Sequence, residues 1–70
     1  MVNKMTRQQF LNNMIAFATT KGVNKLIATK IMSKYIAHIN IEDPIIQHIG
    51  PCYYAYQVLI CEHLVPFVAL

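Results

Sequence analysis

Residues 52–65 read CYYAYQVLICEHLV, and whether this stretch is helix or strand decides the fold. On a helical wheel its polar members Gln57, Glu62 and His63 point in three directions, so a helix here has no polar face and is expected to be surrounded on all sides. A strand over 52–61 is the alternative, because Tyr54, Tyr56, Val58 and Ile60 alternate and tyrosine, valine and isoleucine favour the pleated surface. Helix is the preferred reading, since a lone strand in an otherwise helical chain has no pairing partner unless a second subunit supplies one. Pro66 is expected to end the element in either case, and the apolar FVAL end to dock on the domain or on a neighbour.

Upstream of this stretch every signal is helical. Gly50-Pro51 stops one helix, and Asp43-Pro44 starts it, with aspartate as the cap and proline at the first helical position, where its missing N–H costs nothing. Asn24 caps a helix expected over Lys25 to about Ile39, with Ile27, Ala28, Ile31, Met32, Tyr35, Ile36 and Ile39 as its apolar face. Thr6 and Gln9 form a T-x-x-Q capping box for the first helix, which carries Phe10, Leu11, Met14, Ile15, Phe17 and Ala18 on one side and stops at Gly22. The expected fold is therefore all-α: a small bundle of three to four helices with an apolar C-terminal helix, forming a single helical domain over 1–70.

Hydrophobic residues make up 56% of the chain and charged ones 13%. A domain of this length buries only about 60% of the surface of its unfolded chain, so more apolar surface is present than one copy can hide. A second copy, a protein partner or a lipid surface is expected to cover the remainder. All six basic residues, Lys4, Arg7, Lys21, Lys25, Lys30 and Lys34, precede the first acid, Glu42. That asymmetry suits an anionic partner, or it simply keeps the outer faces of two helices solvated. Lys30 and Lys34, one turn apart, form a short basic ridge.

The stretch from Ala18 to Val23 reads A-x-x-x-G-V. It resembles the middle of a bacterial helix-turn-helix, in which a small residue lets two helices approach, glycine makes the turn and the next apolar residue plugs the angle between them. The resemblance implies that Asn24, Lys25, Thr29 and Lys30 reach nucleic acid, and the basic charge of the two helices adds Lys21 and Lys34 as expected contacts to nucleic acid or another partner. Lys21 before the glycine and Leu26 and Ile27 at groove-facing places depart from the pattern. No arginine accompanies them, although arginine on guanine is the commonest specific contact. A plain helical hairpin with a glycine stop produces the same string.

Other chemistries find little support in the residues. His48 and Cys52 are separated by the Gly50-Pro51 break, and Cys61 and His63 would point about 200° apart on a helix, so no metal site is inferred. The histidines are expected to be interior or interfacial. Cys52 and Cys61 would face opposite sides about 13 Å apart along a helix, which forbids a bridge within it, and they are read as reduced core residues. Glu42 and Asp43 have a sufficient role at a helix start, and Glu62 and His63 beside Cys61 offer no oriented catalytic group, so no enzyme and no cofactor are expected.

Tyr53, Tyr54 and Tyr56 would stack bases only with cations beside them, and none follows Lys34. They fit an oligomer interface better, together with Leu59, Ile60, Leu64 and Phe67. Residues 49–70 are long enough to span a bilayer, but Glu62 at depth would cost roughly 2.5–3.5 kcal/mol. The start lacks the apolar run of a secretory signal, which points to a cytoplasmic location. The expected function is that of a small non-enzymatic regulator, adaptor or inhibitor acting through protein contacts as a homodimer or assembly subunit. A dimeric helix-turn-helix-like DNA-binding regulator is the alternative.

Overall fold

The computed structural model describes residues 4–64, and the fold over them is all-α, a bundle of four helices. Helix α1 spans Arg7–Thr20, α2 Lys25–Ile36, α3 Pro44–Ile49 and α4 Pro51–Cys61. The stretch from residue 52 is thus helical to Cys61 and the strand alternative falls. Pro66, Phe67 and the apolar end lie outside the described residues.

The helix starts follow the local chemistry read from the sequence. Thr6 Oγ1 accepts the Gln9 N–H (3.1 Å) while the Gln9 side chain accepts the Thr6 N–H (2.9 Å), which completes the capping box. Asn24 Oδ1 accepts the Leu26 N–H at 2.8 Å, and Asp43 Oδ1 the Ile45 N–H at 2.9 Å. Each such cap contributes about 1 kcal/mol.

The corner at Gly22 is a Schellman stop. The Gly22 N–H donates to Thr19 O (3.0 Å) and the Val23 N–H to Ala18 O (3.1 Å), with Gly22 at φ +92°. Helix α4 ends the same way: the His63 N–H donates to Ile60 O (3.0 Å) and the Leu64 N–H to Leu59 O (2.9 Å). There the left-handed position is held by His63 at φ +58°, a conformation that costs a residue bearing a Cβ roughly 1–2 kcal/mol.

Three helices build the core. Phe10, Met14 and Ala18 lie at i, i+4 and i+8 on α1; Ala28, Met32 and Ile36 repeat that spacing on α2; Ala55, Val58 and Leu59 come from α4, and Ile41 from the loop after α2. Each helix contributes one buried alanine, which lets the backbones approach, while Phe10, Met14, Met32 and Leu59 fill the volume between them. Burying each large side chain contributes about 1.5–3 kcal/mol.

Five expectations are corrected by the packing. Helix α2 ends at Ile36 rather than near Ile39. The chain tightens there into i→i+3 turns, with the His38 N–H on Tyr35 O and the Ile39 N–H on Ile36 O, and the Arg7 guanidinium donates to Ile36 O at 3.3 Å. Ile27 was expected on the apolar face but is 49% exposed, because the buried stripe of α2 runs through Ala28, Met32 and Ile36. Helix α4 is covered on one side only: Cys52, Tyr53, Gln57 and Cys61 face outward. Both cysteines are therefore free and exposed rather than core residues, and His38, His48 and His63 are exposed as well.

Candidate functional site

Two surfaces stand out on the bundle. The first is apolar and follows α3 into α4. Ile45 and Ile49 lie one turn apart on α3 and are 68% and 45% exposed, and Tyr53, in the first turn of α4 beyond the Gly50 junction, is 52% exposed. Helix α3 buries none of its residues fully, and the φ of +90° and ψ of 166° at Gly50 set the angle at which α4 leaves. Tyr53 is steadied by an edge-on contact with Tyr54 (centroids 5.4 Å), and Tyr54 in turn leans on the buried Phe10 (6.1 Å). Tyr56 sits edge-on to Phe17 at 6.4 Å.

Of the residues expected at an interface, the structure separates three groups. Tyr53 and Leu64 are exposed and available; Tyr54, Tyr56 and Ile60 are half-buried; Leu59 is fully buried. Leu59 belongs to the chain's own core, because the one covered side of α4 runs through Ala55, Val58 and Leu59. Phe67 lies outside the described residues. The sequence reading missed Ile45 and Ile49, although the i, i+4 spacing of two isoleucines on a six-residue helix is their signal: so short a helix has little area with which to cover them.

The second surface is the cationic side of α1 and α2. Between these helices runs an open groove of about 550 Å³, with Leu11, Ile15 and Ala16 as its floor and Gln8, Asn12, Thr19, Lys25 and Thr29 around it. Gln8 Nε2 donates to Asn12 Oδ1 at 2.9 Å along the rim. The six residues expected at a partner contact, Lys21, Asn24, Lys25, Thr29, Lys30 and Lys34, are all exposed, but only Lys25 and Thr29 line the groove. Asn24 Oδ1 is occupied as a cap, and the Thr29 hydroxyl donates to Lys25 O at 2.8 Å. Lys21 lies over the Phe17 ring at 5.4 Å and Lys34 over Tyr35 at 5.5 Å. Among the described residues the one ion pair is Lys4 with Glu42, and neither lines the groove.

A contact not foreseen from the sequence ties α2 to the end of α4. The Tyr35 hydroxyl donates to Glu62 Oε2 at 2.7 Å. This bond raises the Tyr35 pKa above its ordinary 10.0, with desolvation and the negative charges of Glu62 and Cys61 acting in the same direction. Ionised Tyr35 would lose its donor and face a carboxylate, so the folded chain holds this proton to higher pH than the unfolded one. The contribution is fully present below the unfolded value of 10.0 and disappears as pH rises through the raised one. Urea midpoints should therefore favour the native chain over Tyr35→Phe at neutral pH, and the gap should close in strong alkali. An equal gap at both pH values would show that the hydroxyl does not act through its proton.

Among the described residues no helix is long and apolar enough to cross a membrane, and no three histidine, cysteine or acidic side chains come together. Comparison of the chain with protein-family models, with curated proteins and with solved structures finds no match.

Proposed function

We propose that this chain is a non-enzymatic binding protein that acts through protein–protein contacts and pairs with a second copy of itself along α3 and the start of α4. The observation that carries the reading is the exposure of Ile45 and Ile49 on α3 and of Tyr53 just past the Gly50 junction, three large apolar side chains left uncovered within nine residues of chain. Neither lysine, arginine nor acid lies between Pro44 and Cys61. A two-fold interface brings like residues together, so an uncharged face can meet its own copy without repulsion, whereas the lysine-bearing face of α1 and α2 cannot. Self-pairing along α3 and α4 leaves that cationic face open to a different, acidic partner, as expected of a small regulator or adaptor.

Light scattering from about 1 µM to about 1 mM tests the pairing, because association follows mass action. The mass should rise from the 8.0 kDa of one chain toward twice that value, and Ile49→Lys should hold it at the lower one. A single-chain mass throughout would retire the reading.

The second reading is a dimeric helix-turn-helix-like DNA-binding regulator, and the exposure of all six candidate contact residues favours it. Leu26, 81% exposed beside Lys25 where a groove-reading helix carries polar groups, weighs against it. Duplex binding that weakens steeply with salt and still distinguishes sequences would promote this reading over the first.

A further inference from the structure

We propose that the groove between α1 and α2 is a docking site for an acidic amphipathic helix of another protein. The inference rests on reading the chain as a binding module and names the class of partner its cationic side accepts.

The groove follows α1 from Gln8 to Thr19, about 16 Å at the helical rise, which matches three turns of a second helix laid alongside. Its floor is apolar and only partly covered: Leu11 and Ile15 are half-buried and Ala16 is exposed. The small side chain of Ala16 leaves room for an incoming leucine or isoleucine between its larger neighbours. An amphipathic helix offers the matching stripe at i, i+3, i+4 and i+7. The amides of Gln8 and Asn12 keep donors and acceptors free beyond their mutual bond, so the rim can be satisfied by polar side chains flanking that stripe.

Charge selects the sign of the partner. Lys25 lines the groove, and no acidic residue occurs anywhere in α1 or α2. Lys21 and Lys30, exposed on the same helix pair without lining the groove, add to its net positive field. A helix carrying glutamate or aspartate on its flanks gains from this field, and a basic one is repelled. Nucleic acid fits less well, because phosphate recognition needs several cations at the contact and this groove supplies one cation above an apolar floor.

The experiment uses the full chain and a fluorescein-labelled probe peptide about four helical turns long, with leucines at i, i+3, i+4 and i+7 and glutamates on its flanks. Anisotropy should give saturable binding, and exchanging the glutamates for lysine should weaken it about tenfold or more. Ala16→Glu fills the floor with a like charge at an exposed helical position where glutamate is well tolerated, so the fold is retained and affinity should drop about tenfold or more. Lys25→Glu should weaken the acidic peptide and strengthen the basic one. Ile49→Lys, which acts on the self-pairing face, should leave peptide binding unchanged, so failure of the pairing and failure of the groove are read separately. Three results would each overturn the inference: no saturation by the acidic peptide, equal binding of acidic and basic peptides, or displacement of the peptide by a DNA duplex in preference to an unlabelled copy.

Discussion

Replacing Phe10 by alanine is expected to leave the chain largely unfolded at 25 °C. Phe10 is fully buried at the meeting of α1 and α4, the largest residue in the core and the support on which Tyr54 leans. Truncating a buried phenylalanine costs about 3–5 kcal/mol, and a domain of this size rarely holds more than that in its core. The core here contains three alanines among its ten fully or nearly buried residues, so few neighbours can relax into the void. Far-UV circular dichroism should show loss of most helical signal, and Phe10→Leu should restore much of it. A Phe10→Ala chain with an unchanged urea midpoint would mean that α1 and α4 do not share a core.

Gly50→Ala is expected to destabilise the fold by about 1–3 kcal/mol, with no steric clash to explain it. A Cβ at Gly50 meets nothing within 4 Å, so the cost arises entirely from the backbone at φ +90° and ψ 166°, a region open essentially to glycine alone. Gly22 has a similar φ of +92° and equally open surroundings but sits in a Schellman stop, where the left-handed conformation also accepts asparagine. The two glycines should therefore respond differently to asparagine. Gly22→Asn should recover part of what Gly22→Ala loses, and Gly50→Asn should be as damaging as Gly50→Ala. Midpoints from thermal melts decide it, at about 4–8 °C per kcal/mol for a chain of this length. Equal tolerance of asparagine at both positions would contradict the geometry of the α3–α4 junction.

The elements that could be read from the sequence are those whose cause is local. A cap needs only a hydroxyl or carboxylate within three residues of the donors it satisfies, so Thr6, Asn24 and Asp43 announced three helix starts that the structure contains. The helical state of residues 52–61 followed from the lack of any strand partner. What could not be read depends on residues distant in sequence. Helix α2 ends early because Arg7, 29 positions upstream, is bonded to its last carbonyl and the chain bends to bury Ile41. The outward placement of Cys52 and Cys61 arises because α4 is covered by α1 and α2 on one side alone, and composition suggests burial without saying which side. The Tyr35–Glu62 bond joins residues 27 positions apart, and no local pattern announces it. The groove is half-legible: Lys25 and Thr29 stand out in the sequence, but Leu11 and Ile15 read there only as part of the apolar side of α1, and nothing local marks Ala16.

The clasp around Gln47 gives α3 a character of its own. Gln47 pairs both ways with the backbone of Met5, accepting its N–H and donating to its carbonyl at 3.0 Å each, and also donates to Ile41 O at 2.6 Å. Since α3 has no fully buried residue, this one amide supplies much of what fastens it to the start of the chain. Such an element opens on its own with little help from the rest of the bundle. Its amide protons should trade with deuterium well before those of α1, and a protease should find its first foothold there, until something seated on Ile45 and Ile49 shuts the clasp.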